Sequence, residues 1–185
     1  MKRPIPLNKE IKLGKEIIVS KTDQRGVITY GNDVFVKVSG YDLDELINTN
    51  HNILRHPDMP KAVFALLWDK IRKGENITAV VKNLSKSGAY YWVITDFEIQ
   101  KDDKGKIRNY VAFRRAAPKE VVKVMEPIYA NMLNVEQEHG MSASANYLFG
   151  LLDDKHMNYN EFIEDLSKPK GLKGLLFNKM KKLFS

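Results

Sequence analysis

Apolar and polar positions along this chain switch between two periods. Residues 16–22 (Glu-Ile-Ile-Val-Ser-Lys-Thr) are rich in β-branched side chains and read as a strand. The turn Asp23-Gln24-Arg25-Gly26 leads into a second strand, Val27-Ile28-Thr29-Tyr30, so the pair predicts a hairpin. Asn32 then caps a short helix over 33–38, ended by Ser39-Gly40-Tyr41, and Asp42 heads another brief helix over 42–46. Between 61 and 73 the period lengthens: Val63, Phe64, Leu67, Trp68 and Ile71 fall on one face of an amphipathic helix that Gly74 stops. Three strands follow, over 77–84, 90–100 and 106–116, joined by tight turns at 85–88 and 102–105. Strands linked by short turns pair antiparallel. The pattern therefore predicts an α+β domain, a five-stranded antiparallel sheet with its short helices grouped on one face.

Beyond 118 the period stays helical. Val121, Val122, Val124, Met125, Ile128, Met132 and Val135 mark one helix before Gly140, with a kink or break expected at Pro127. Ser142 or Ser144 is placed to cap a second helix holding Tyr147, Leu148, Leu151 and Leu152. Asn158 or Asn160 starts a third, with Phe162, Ile163 and Leu166. Such short helices bury little alone, so they pack on the sheet domain, dimerise or dock on a receptor. The expected organisation is a lead-in (1–15), a sensor domain (16–118), a helical appendage (119–167) and a basic amphipathic tail (168–185).

Charge sharpens the last boundary. The net charge is +7, and from Lys168 to Ser185 there are six lysines and no acidic residue. The excess is thus a tail rather than a basic face, which argues against nucleic-acid binding. Leu172, Leu175, Leu176, Met180, Leu183 and Phe184 gather on one helical face, so 171–185 suits an anionic membrane surface or an acidic partner helix. A frayed solubilising tail is the alternative. No apolar run nears the roughly 20 residues of a membrane span, and the first residues lack a secretory signal's apolar core. A cytoplasmic protein is expected. With no cysteine, disulfides, thiolate nucleophiles and a cysteinyl–flavin adduct are excluded, and the four histidines match no zinc spacing. No nucleophile–base pattern supports an enzyme.

The chemistry concentrates in His51-Asn52-Ile53-Leu54-Arg55-His56-Pro57-Asp58-Met59-Pro60. Two prolines three residues apart deny this stretch a regular helix. Two imidazoles, a guanidinium, a carboxylate and an amide share that backbone, as in a loop that faces a polar ligand. The plainer alternatives are a surface turn, with Asp58 capping the following helix and Arg55 in a surface ion pair.

Asp23-Gln24-Arg25-Gly26 through Asn32-Asp33-Val34-Phe35, then Ser39-Gly40-Tyr41, together with Gly88-Ala89-Tyr90-Tyr91-Trp92-Val93, resemble a PAS domain. More narrowly, Asn52-Ile53-Leu54-Arg55-His56-Pro57-Asp58-Met59-Pro60-Lys61-Ala62 is similar to the hallmark loop of the bacterial aerotaxis-receptor branch, whose members bind FAD non-covalently and report redox state to chemotaxis receptors. The likeness covers about 16–118. It implies a PAS fold and a flavin pocket. Arg55 would grip the pyrophosphate through its planar fork; His51, Asn52 and His56 would meet phosphate, ribose or flavin oxygens; Asp58 would orient Arg55 or accept from a ribose. Asn83 would meet the flavin edge, and Asn32 matches a family position near the cofactor, with its capping role as the alternative. Phe64 and Trp68 are candidates for cofactor wall or for core.

One position departs from the resemblance. The family places a tryptophan at the start of the third strand, where this chain has Ile77, so aromatic stacking worth about 0.5–1.5 kcal/mol is lost. Haem, through a histidine ligand, is the alternative cofactor, and a cofactor-free interaction module is the alternative without one. The implied function is a redox or energy-taxis sensor whose partner is a membrane chemotaxis receptor or its cytoplasmic helices, with a homodimer also open.

Overall fold

The computed structural model describes residues 3–168, so the tail expected over 171–185 lies outside the described residues. Five antiparallel strands form one sheet in the order β2-β1-β5-β4-β3: β1 (Ile18–Thr22), β2 (Ile28–Gly31), β3 (Ile77–Leu84), β4 (Tyr90–Lys101) and β5 (Ile107–Ala116). The last strand thus lies between the first and the fourth, and every pairing is antiparallel. This is the α+β arrangement the periodicity implies. The lead-in runs beside the start of β4, where Leu7 N–H donates to Gly88 O and Ile11 N–H to Tyr90 O.

Helices α1 (Asp33–Ser39), α2 (Leu43–Leu46) and α3 (Lys61–Arg72), with a 3-10 turn over His51–Leu54, connect β2 to β3. Strand alternation gives the sheet two different faces. Thr22, Val81, Asn83, Thr95, Ala112 and Arg114 share a cavity with α3, whereas Lys82 and Trp92 project to the opposite face. Leu46, Leu54, Val63 and Leu67 are buried in the core.

The opposite face belongs to α4 (Lys119–Asp153) and α5 (Tyr159–Ser167). The kink expected at Pro127 does not occur there. Gly140, at φ 84° and ψ 173°, is the residue inside α4 with non-helical backbone. Pro127 is tolerated because it and Lys123, whose carbonyl loses its usual amide partner, both lie on the exposed side of the helix. At Gly140 the chain reverses. Ser144 Oγ donates to Met132 O at 2.9 Å, across twelve residues that would span about 18 Å in a straight helix. Ser144 therefore ties the two arms together rather than capping the second one.

α5 starts with a reciprocal cap, in which Asn158 Oδ1 accepts from Glu161 N–H and Glu161 accepts from Asn158 N–H. Val121, Met125, Tyr129, Met132, Phe162 and Ile163 are buried in the same cluster as the sheet residues. β3 is an edge strand, and unpaired edge groups invite association. Here side chains close two of them: Asn160 Oδ1 accepts from Thr78 N–H at 3.0 Å, and Tyr129 O–H donates to Val80 O at 2.8 Å.

Candidate functional site

Between α3 and the inner sheet face lies a cavity of about 420 Å3. Phe64, Leu67, Trp68 and Ile71 on α3 and Phe97 on β4 give it apolar walls. Trp68 reaches over the β1–β2 turn, meeting Tyr110 edge-to-face at 5.7 Å between ring centroids. Gly26 makes room for it, since a Cβ there would lie 2.9 Å from the indole, and its φ of +82° also suits glycine. Four arginines (25, 55, 72 and 114) line the cavity, and its lining holds no aspartate or glutamate. Arg25 and Arg72 are exposed and lie at the rim.

Arg114 is the unusual one. It is 4% exposed, and no carboxylate pairs with it among the described residues. Nη1 donates to Ser20 Oγ at 2.9 Å and Ala112 O at 3.3 Å, and Nη2 meets His51 Nε2 at 2.9 Å. Every acceptor is neutral, so the charge is solvated but not balanced. Burial pulls its pKa down to about 10, which still leaves it a cation at neutral pH. A guanidinium can only donate, so His51 must present a bare Nε2 and carry its proton on Nδ1. Burial and the Arg114 charge together hold the His51 pKa down at about 3. The His51 residue itself is partly exposed, toward the cavity it lines, while Nε2 is closed in by Arg114 and Ser20.

Three buried polar side-chain atoms are without a partner among the described residues: Asn83 Nδ2 on β3, and Tyr91 Oη and Thr95 Oγ1 on β4. Of these residues, Asn83 and Thr95 line the cavity. Thr95 sits directly opposite Arg114 in the β4–β5 register. Buried polar atoms are seldom left unpaired, because each costs about 1–3 kcal/mol. An uncompensated cation, an orphaned amide and an orphaned hydroxyl between aromatic walls fit an anionic, planar, hydrogen-bonding ligand.

The sequence description of the PAS fold matches residues 28–114. Over 112 residues, 60% of this chain, it is 45% identical to the aerotaxis receptor of Escherichia coli K12. Residues 28–114 form a PAS domain, and the chain is similar in sequence to the aerotaxis receptor. The domain is also 30% identical over 97 residues to the bacterioopsin transcriptional activator of Halobacterium salinarum, which covers 52% of this chain. To the nitrogen fixation regulatory protein of Klebsiella pneumoniae it is 27% identical over 99 residues, 54% of the chain. The chain spans only 22%, 14% and 20% of those three relatives' lengths. In fold it resembles a solved light-oxygen-voltage domain studied with a flavin analogue: TM-score 0.53, 22% identity, 62% of this chain and 86% of the other.

Of the residues singled out from the sequence, the PAS cavity brings together His51, Asn52, Arg55, Phe64, Trp68 and Asn83. Four others lie outside its lining. Asn32 Oδ1 accepts from Phe35 N–H and Val19 N–H while its Nδ2 donates to Ile17 O, so its polar atoms are spent capping α1 and tying it to β1. His56 is turned to the β3 edge: its N–H donates to Lys82 O, its ring lies edge-on to Tyr90, and its Nδ1 accepts from Asp58 N–H. Asp58 does not cap α3 and does not reach Arg55; it pairs with Lys82 Nζ at 2.7 Å. Ile77 is buried at the start of β3, in register with Phe97, which supplies the aromatic wall instead. Arg55 folds back on its own loop, Nη2 donating to Met59 O at 2.7 Å, with its guanidinium 4.7 Å from the Phe64 centroid.

The sequence reading missed Arg114, Ser20, Thr95 and Gly26. Alternation held the signal for Arg114: Tyr110, Ala112 and Arg114 share the inward face of β5, and a charge on an inward face demands a reason.

The His51 shift has a measurable consequence. An unfolded imidazole titrates near 6.5 and the folded one near 3, so between them the unfolded state binds the extra proton. Stability is therefore full above pH 6.5 and falls as pH drops through this window, by up to about 1.4 kcal/mol per unit from this group. Urea unfolding at pH 7.5 and 5.0 should show the loss, and His51→Gln should remove part of it. An identical pH dependence in the variant would contradict the assignment.

Proposed function

We propose that this chain is a redox sensor whose PAS cavity binds FAD non-covalently and whose output is a change in packing passed to a separate chemotaxis receptor. The single observation behind this reading is Arg114, buried in the cavity without a counter-ion beside the unpartnered Thr95 hydroxyl and Asn83 amide. The flavin-related sequence likeness agrees with it. In this reading the α3 aromatics flank the rings, Arg114 and Thr95 neutralise and hydrogen-bond the polar edge deep in the cavity, and Arg25, Arg55 and Arg72 meet the phosphates nearer the rim. A bound flavin supplies a proton and charge inventory that changes with its redox state. Asn83 is suited to answer it, because an amide can donate or accept by rotating. Its strand carries the answer outward: Val80 and Lys82 on β3 hold Tyr129 and Glu126 of α4.

The histidines favour flavin over haem. An axial ligand needs an imidazole nitrogen free to face iron, but His51 Nε2 is engaged by Arg114, and His56 lies outside the cavity lining. The test is an absorption spectrum of the protein purified from cells, followed by chromatography of the nucleotide released on denaturation. Flavin bands and FAD support the proposal. A Soret band, or colourless protein that takes up neither FAD nor FMN, overturns it.

A further inference from the structure

α4 touches both walls of the cavity from behind. Pro60 has no side chain to cap α3, and the Glu136 carboxylate does so from α4: Lys61 N–H donates to Oε1 and Ala62 N–H to Oε2, both at 3.1 Å. A charge on those amides is stabilising both as a hydrogen-bond acceptor and against the helix dipole. Two to three turns earlier on the same helix, Tyr129 O–H holds Val80 O, and Glu126 lies 3.7 Å from Lys82 Nζ. Positions 126, 129 and 136 fall within about 80° of one another around a helix of 3.6 residues per turn. One stripe of α4 is therefore pinned at one end to α3, which carries Phe64 and Trp68, and at the other to β3, which carries Val81 and Asn83.

A helix is stiff, and its ten-residue span here is about 15 Å. Should a cavity ligand move α3 relative to β3, this stripe cannot follow both walls at once. Glu136 also faces Arg55 electrostatically, opposing the fall in that guanidinium's pKa that burial produces. Lys82, the other anchor, is shared with Asp58 of the proline loop and lies 4.3 Å from the Tyr90 centroid. Both anchors thus connect to the loop that contributes Arg55.

We propose that α4 is a strut that reads the separation of the two cavity walls, with Glu136 as its positioning residue. Occupancy or redox state of the cavity then sets how firmly α4 and α5 are docked on the sheet. The trigger rests on the flavin reading above, whereas the mechanical link does not.

Amide hydrogen exchange on the whole chain tests both parts. Glu136→Gln keeps the shape and removes the charge. It should raise exchange about tenfold, equivalent to 1.4 kcal/mol, at the start of α3 and also at the β3 stretch held by Tyr129. Exchange in β1 and β5 should not change. A rise confined to the first turn of α3 means a local cap and overturns the strut, and this holds even for colourless protein. In flavin-loaded protein, reduction with dithionite should change exchange in 119–139 in the wild type, and Glu136→Gln should abolish that difference at unchanged flavin content. A redox response that persists undiminished in the variant overturns the positioning role. Failure to load flavin overturns the sensor reading and leaves the first comparison to decide the strut.

Discussion

Replacing Arg114 with methionine is expected to weaken flavin binding by roughly 10- to 150-fold while leaving the empty protein folded. The fold-change corresponds to losing a charge-assisted hydrogen bond worth about 1.5–3 kcal/mol. The fold survives because Met fills the length of the aliphatic stem and removes a buried charge that has no counter-ion. The groups it leaves behind can pair with each other, since Ser20 Oγ already lies 3.2 Å from His51 Nε2 and can donate to it. Titration of the purified variant with FAD and FMN, alongside urea unfolding of the empty protein, separates binding from folding. Affinity within twofold of wild type would remove Arg114 from the binding site. A loss of flavin accompanied by unfolding would make it a structural residue.

The second large effect is expected at Tyr129. Its ring is 1% exposed, stacks on Trp92 at 6.3 Å between centroids, and hydrogen-bonds Val80 O and Tyr159 O–H. Burial pushes its phenol pKa well above the usual range, so it stays a donor at any physiological pH. Tyr129→Ala should cost about 3–5 kcal/mol, the range for deleting a buried aromatic, against a total stability of about 5–15 kcal/mol. Tyr129→Phe keeps the stack and should cost about 1 kcal/mol, since Tyr159 O–H remains beside Val80. Urea unfolding followed by tryptophan fluorescence and by circular dichroism measures both. A cost below about 1 kcal/mol for the alanine variant, or non-coincident transitions, would mean that α4 does not unfold cooperatively with the sheet.

These two residues show what kinds of information a linear reading retains. Elements set by local chemistry were legible. The expected strand over 77–84 is β3, and the helix expected over 61–73 is α3, ending at Arg72. The α1 cap at Asn32 and the α5 start at Asn158 follow from side chains that bond amides three residues away. The proline loop was recognised as a place of concentrated chemistry, but its residues divide between two surfaces. Arg55 lines the cavity, while His56 and Asp58 serve the back of β3. Backbone direction within four residues decides that division, and composition does not encode it.

The sequence by itself determined the strands, the helices, the PAS resemblance and the absence of thiol chemistry, because each depends on periodicity, neighbouring caps or residue identity alone. Only the tertiary structure decided which side chains meet. Arg114 and His51 are 63 residues apart in sequence and touch because β5 inserts beside β1 and the 3-10 turn lies over that junction. Glu136 reaches Lys61 across 75 residues because α4 lies against the start of α3. A charge buried without a counter-ion, and a helix capped by a distant carboxylate, exist only once remote segments share one space, since burial and pairing are properties of the assembled chain.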